Sequence, residues 1–434
     1  MIPELFCHTA IIIMAHLLLL FMIKAHNKSS YFLLIIKMLF CDILIENKRG
    51  FLMIDNKPKP VFIHSPELEK LSYPHDCPFS TQRAGKTHDL LVSLGLLRGN
   101  GIKEIAPKSA TRSELEAFHS ARYLDELQRA AEGKLTKEGS DMGFGTLDCP
   151  VFSDMYKYAS LACGATLTGA ELILSGEADI AFNPSGGFHH AKAEKASGFC
   201  CLNDVVLGCL RLAEKGKRVL YLDVDAHHCD GVQDAFYARK DVMVISLHES
   251  GKTLFPWTGF ENEIGEGPGL GFNVNVPLPV GIFDEAYMTV FYKVVLPLIK
   301  AYKPDVIVIE LGMDALAGDS LAHLGLTNNT YVEIINELLS FNKPILATGG
   351  GGYDVDKTVR GWALAWKTLS GASDEPDLSL GLGGVMLQSE EWAGGLRDRV
   401  LPVHEKHRRS IDSAIEETIN AVKKNVFGYH GLGK

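Results

Sequence analysis

The run Tyr221-Leu222-Asp223-Val224-Asp225-Ala226-His227-His228-Cys229-Asp230-Gly231 sets two carboxylates and an imidazole at alternate positions behind an apolar stretch. If strand alternation continues through it, Asp223, Asp225 and His227 project to one side, and an acid and an imidazole at that spacing can share one cation. A lone Asp-x-His is as ordinary as a surface turn, so the reading depends on its company. That company is Glu310-Leu311-Gly312-Met313-Asp314, a second apolar run that ends in an acid. Asp225, His227 and Asp314 together make three oxygen and nitrogen ligands. A catalytic zinc site has that ligand number with one position left open, whereas a closed structural site takes four, usually with Cys. Asp314 on its own reads as a helix cap or turn residue.

A third run, Pro184-Ser185-Gly186-Gly187-Phe188-His189-His190-Ala191, places two imidazoles in a Gly-rich turn. An acid can orient each ring and fix its tautomer, and Asp223 and Asp230 are the unassigned acids closest to the proposed metal. The fourth is Gly349-Gly350-Gly351-Gly352-Tyr353, where backbone can approach a ligand closely beside a phenol. It lacks the Lys-Ser/Thr of a phosphate loop, which disfavours nucleotide binding.

These motifs need elements to hold them, and short β-branched runs alternate with longer helical stretches. Strands are expected near 61–64, 179–182, 218–223, 242–247, 272–276, 306–311 and 345–348, with helices near 81–97, 154–174, 203–215, 283–301, 331–341 and 358–369. Such alternation predicts right-handed crossovers and a parallel sheet covered on both faces, and in such sheets ligands bind at the carboxyl ends of the strands. All four motifs follow an expected strand. No linker or repeat divides residues 60–372, which read as one domain. Forty-three Lys and Arg against 53 Asp and Glu leave a net charge of −10, which argues against a surface built for nucleic acid or anionic lipid. The nine cysteines contain no Cys-x-x-Cys pair and read as reduced thiols of a cytoplasmic protein.

Taken in order, the four motifs resemble those of the zinc-dependent histone deacetylase family, including the bacterial acetoin-utilisation deacetylases, over residues 60–372. The resemblance implies an α/β, three-layer arginase/deacetylase fold, with a central mostly parallel sheet of about eight strands between helices. It also implies removal of acetyl groups from lysine side chains of acetylated proteins, metabolic enzymes among them. By matching motif, Asp225, His227 and Asp314 resemble the ligands of one Zn2+. His190 resembles the general base and His189 its tandem partner; Asp223 and Asp230 resemble the acids that bind His189 and His190. Tyr353 resembles the phenol that polarises the scissile carbonyl. Gly198, Phe199 and Phe255 resemble the walls of a narrow tunnel, Leu321 its gate, and Asp148 the rim acid that grips substrate backbone. A structural K+ would map to Asp223, Asp225, His227, Ser246 and Leu247. Cys229, Cys201 and Ser320 depart from the family pattern, and if the position of Cys229 requires a positive φ that residue is strained by about 1 kcal/mol or more.

An arginase-like binuclear manganese site would want an Asp two residues beyond the Asp-x-His histidine, where Cys229 stands. An inactive acetyl-lysine binding module would have lost His190 or Tyr353. An acetylpolyamine amidohydrolase would favour an acid where Leu321 stands. At the amino end, apolar runs at 10–23 and 31–44 are broken by His16 and Lys37 and are short of the roughly 20 residues of a membrane span. Glu4 precedes the first run without a Lys or Arg, and no Ala-x-Ala site follows, so a signal peptide is disfavoured. Residues 1–52 read as an apolar extension, 53–372 as the catalytic domain, and 373–434 as an extension that packs on it with a frayed end. A chain started at Met53 is therefore expected to be soluble and active; insolubility or inactivity of that shorter protein beside a sound full-length chain contradicts the division.

Overall fold

The computed structural model describes residues 59–99, 101–372 and 395–433. The division drawn at residue 52 lies outside them. Eight strands form one sheet: β1 Pro60–Ile63, β2 Lys103–Ile105, β3 Ile180–Asn183, β4 Val219–Asp223, β5 Val242–Glu249, β6 Asn273–Leu278, β7 Val306–Glu310 and β8 Ile345–Thr348. Their spatial order is β2-β1-β3-β8-β7-β4-β5-β6, and every pairing is parallel.

Seven of the strands are buried throughout, which is why they read as apolar runs. Along β4, Leu220 and Leu222 join one core while Val219 and Tyr221 join the other, as a two-residue side-chain period dictates. The helices Met155–Ser175 and Asp204–Glu214 supply Ala165, Ala170, Val205 and Leu212 to the second core. Helices Gln82–Ser93, Asn328–Ser340 and Val355–Ser370 supply Leu91, Ile335, Trp362 and Trp366 to the first. Helix Glu405–Val426 adds Ile411, Ile415, Ile419 and Val422 to that same core, and Thr418 donates to the Pro277 carbonyl of β6 at 3.1 Å.

Three of the departures from the expected pattern have a readable physical origin. Strand β2 is a three-residue edge with two exposed charged residues, so it carries no apolar run to recognise. Helix Ala121–Ala131 is an addition to the expected set, although Tyr123, Leu124, Leu127 and Ala130 have helical spacing and Ser120 caps it through Tyr123 N. The helix expected over 283–301 is interrupted: Asp284–Val290 passes through a π turn, Phe291–Val295, into Leu296–Tyr302. Pro297 has no N–H to donate to the preceding turn, and the wider turn accommodates that loss.

The consequence for chemistry is positional. Strands β3, β8, β7 and β4 are consecutive in the sheet, and their carboxyl ends lead into the four motifs. The order of the chain reverses here, which opens a crevice between loops that leave in opposite directions.

Candidate metal centre

Strand β4 stops at Asp223, so Asp225 and His227 are not placed by strand alternation, as the sequence suggested, but by two successive side-chain turns. The Asp225 N–H donates to Asp223 Oδ1 at 3.0 Å and the His227 N–H to Asp225 Oδ1 at 2.8 Å. These Asx-type contacts curl the chain over the strand end and turn His227 toward Asp225. From β7, Asp314 is fixed when its Oδ1 accepts the Ala226 N–H at 2.8 Å. His227 Nδ1 then lies 3.1 Å from Asp225 Oδ1 and 2.9 Å from Asp314 Oδ2. One ligand atom from each of the three lies within 4.8 Å of the others, and all three residues are buried.

Two glycines permit this crowding. A Cβ at Gly312 would stand 2.0 Å from Asp225 Oδ2, and one at Gly351 2.0 Å from Asp314 Oδ2. The Gly351 N–H donates to Asp225 Oδ2 at 2.7 Å, so the Gly-rich turn after β8 closes the cluster. Two carboxylates and one imidazole, with their remaining lone pairs held by backbone N–H groups, fit a divalent cation with an open coordination position. Without a cation, protons take its place. Burial opposes charging of His227, but its hydrogen bonds to Asp225 and Asp314 carry it up to about 10. Burial and the Asp225 charge push Asp314 up to about 7.

The tandem histidines lie beside this cluster. His189 Nδ1 is 2.8 Å from Asp223 Oδ2, His190 Nδ1 is 2.8 Å from Asp230 Oδ1, and the two Nε2 atoms are 3.0 Å apart. Burial works against a charge on His189, but Asp223 and Asp225 outweigh it and raise the ring to about 9. Burial and the charge on His189 lower His190 to about 4, despite Asp230. The pair thus carries one imidazolium and one neutral ring at neutral pH, and the neutral ring is the one that lines the cavity. Cys229, next to Asp230, has φ −77°, so the strain considered for it is absent and the thiol is accommodated in the core.

A cavity of about 240 Å³ opens above the cluster, lined by Asp148, His190, Gly198, Phe199, His227, Leu254, Phe255, Leu321 and Tyr353. It thus gathers all the residues named for the tunnel. Phe255 stands 5.0 Å from the His190 ring, and Phe199 5.8 Å from the Tyr353 ring, centroid to centroid. Burial, Asp314 and Asp225 raise the Tyr353 phenol well above its ordinary range, so it remains a donor. Asp148 accepts from Gly198 N at 3.0 Å and from the Thr146 hydroxyl at 2.7 Å, so it braces the wall as well as the rim. Strand register sets Asp223 beside Ser246, which places those two members of the expected potassium group together.

Several supporting residues are absent from the sequence-based set. Glu310, fully buried, has Oε1 3.1 Å from His189 Nδ1, and the Tyr221 hydroxyl lies between Glu310 and Asp223. Burial, Asp223 and Asp225 raise Glu310 well above the carboxylate range. Asp204 accepts from Gly187 N at 3.0 Å and Phe188 N at 2.8 Å, fixing the turn that carries the histidines. Asp319 accepts from Leu321 N at 2.9 Å and Tyr353 N at 2.8 Å, which ties the gate to the phenol. Arg83 donates to the Gly352 carbonyl at 2.7 Å. Glu310 is visible in the sequence as a strand-end acid of the second motif; the others give no local signal.

Comparison with known families matches residues 77–369 to the histone deacetylase domain. Histone deacetylase 8 of Xenopus tropicalis is 40% identical over 326 residues, covering 73% of this chain and 86% of that protein. The acetoin utilization protein AcuC of Bacillus subtilis is 39% identical over 319 residues, 72% of this chain and 82% of its own. The crystal structure of an HDAC homolog from Aquifex aeolicus superposes with a TM-score of 0.72 at 32% identity, covering 84% of this chain and all of that one (100%).

Because a proton on His227 occupies the place a cation would take, cation uptake must release it. The affinity of the metal-free protein for zinc should therefore rise with pH between 6 and 8, by about tenfold per unit for each proton released. Competition against a chelator of known affinity measures this, and a pH-independent affinity contradicts the arrangement.

Proposed function

The chain belongs to the histone deacetylase family, and on that premise we propose that it is a zinc-dependent deacetylase hydrolysing the acetamide of Nε-acetyl-lysine in proteins. The observation that carries this reading is the cavity in which His190, Tyr353 and two phenylalanines stand beside a three-ligand cluster. A flexible alkyl stem ending in an amide suits such a shape. Zinc held by Asp225, His227 and Asp314 would supply Lewis acidity toward the acetamide carbonyl and the attacking water.

The protein's own groups account for the rest. Phe199 and Phe255 exclude water along the stem and direct the carbonyl toward Tyr353. His190 takes a proton from water at Nε2 in place of its resting contact with His189 Nε2, while Asp230 holds its Nδ1–H and stabilises the imidazolium that forms. Burial would raise Asp230, but the hydrogen bond from His190 brings it down to about 2, so it remains an anion throughout. The Tyr353 hydroxyl donates to the oxygen of the tetrahedral substrate, where negative charge develops. The imidazolium then returns its proton to the departing lysine nitrogen, giving acetate and the free amine. His189, held by Asp223, keeps its Nε2 against His190 and limits the charge that His190 can carry at rest.

A structural K+ at Asp223, Asp225, His227, Ser246 and Leu247 is supported by the adjacency of β4 and β5, with the Glu249 N–H on the Ala226 carbonyl at 2.8 Å. We assign residues 53–372 to the catalytic domain. A cytoplasmic setting agrees with seven free cysteines and no disulfide among the described residues. No helix among the described residues is long and apolar enough to cross a membrane.

Tyr353→Phe is expected to slow turnover about 100-fold or more with metal content intact, since one oxyanion donor is lost; wild-type turnover in that variant removes Tyr353 from the mechanism. Substrate class rests on the gate. A second amine entering the tunnel needs an acid to offset its desolvation, and Leu321 offers only apolar contact. Specificity constants should favour an acetyl-lysine peptide over acetylspermidine or acetylputrescine, with the polyamines gaining in Leu321→Glu. A wild-type preference for the polyamine overturns the protein-lysine assignment.

A further inference from the structure

Two large apolar side chains remain in solvent next to the cavity. Leu147, which precedes Asp148, is 97% exposed, and Trp257, two residues beyond Phe255, is 61% exposed. Asp148 and Phe255 both line the cavity, so each side chain starts within about 7 Å of its wall along the chain, on separate loops. Trp257 also has φ +67°, the left-handed region in which a bulky residue is strained. The surrounding loop leaves it little choice. Thr258 Oγ1 is 2.9 Å from His228 Nδ1, the Gly259 carbonyl is 2.9 Å from His248 Nε2, and the Gly259 N–H donates to Glu263 at 3.1 Å. A left-handed backbone and a largely exposed indole both disfavour the free protein, which points to a bound partner that covers them.

We propose that Leu147 and Trp257 form an apolar rim that binds the residues flanking acetyl-lysine, so that preferred substrates carry aliphatic or aromatic side chains beside the modified lysine. The occupant is the substrate polypeptide, because the rim is continuous with the cavity that takes its acetyl-lysine. Asp148 stands between rim and tunnel and holds the peptide's polar backbone, while the side chains on either side settle on Leu147 and Trp257. The inference rests on the deacetylase reading and deepens it.

The test compares specificity constants for three acetyl-lysine peptides, flanked by Leu and Phe, by Gly, or by Glu, with those for a capped acetyl-lysine monomer that has no flanks. In the wild-type protein the Leu/Phe peptide should exceed the Gly peptide by about tenfold, mainly through KM. Trp257→Gly, which also relieves the backbone, and Leu147→Ser should each reduce the ratio of Leu/Phe peptide to monomer toward that of the Gly peptide. Equal treatment of all peptides by the wild type overturns the rim while leaving the deacetylase reading in place. The rim is likewise overturned if the ratio is unchanged in the variants but they alter the oligomeric state, since a second copy of the chain then covers the surface. A wild-type protein that leaves monomer and peptides alike intact removes the deacetylase reading and the rim with it.

Discussion

Four carboxyl groups, Asp223, Asp225, Glu310 and Asp314, are buried at the ends of two adjacent strands, each at most 1% exposed. At separations within 4.8 Å, two like charges repel by roughly 3 kcal/mol or more at an effective dielectric of about 20. Such a cluster persists only if positive charge is placed among the acids. In the metal-free protein, imidazoles do this: His227 lies between Asp225 and Asp314 and His189 faces Asp223, while burial and the neighbouring acids push Glu310 well above the carboxylate range. A divalent cation held by Asp225, His227 and Asp314 would answer the same requirement with one charge centre at the floor of the cavity, which His227 lines.

The catalytic character of the neighbouring groups follows from that cluster. Burial and the charge on His189 together depress the basicity of His190, which leaves a neutral acceptor facing the cavity. Burial, with the carboxylates below it, keeps the Tyr353 phenol protonated and therefore able to donate. The fold supplies the geometry by placing β3, β8, β7 and β4 side by side, so that the segments leaving their carboxyl ends converge on one place. Glycine at 312 and 351 then permits backbone to approach carboxylates where a side chain would collide.

Much of this is legible in the sequence because each motif directly follows a fully buried strand, and such strands are recognisable as apolar runs. Asp225, His227 and Asp314 can be grouped from position, and Asp223 and Asp230 offered as acids for the tandem histidines; which acid serves which ring, and the role of Tyr353, come from the family resemblance. The route by which Asp225 and His227 reach the site is not legible, because alternation does not extend beyond Asp223, where side-chain turns take over. Support contacts are hidden for a different reason. Arg83 reaches Gly352 across 269 residues, and Asp148 reaches Gly198 across 50, so neither has a local pattern. Edge strand β2 escapes recognition because an exposed three-residue edge buries too little to need apolar residues.

The most direct measurement of the central claim is the metal content of the purified protein, taken together with acetate release before and after the metal is stripped and restored. One zinc per chain is expected, with hydrolysis lost on stripping and regained in proportion to zinc restored. Two metal ions per chain, or acetate release that survives complete removal of metal, contradicts the claim.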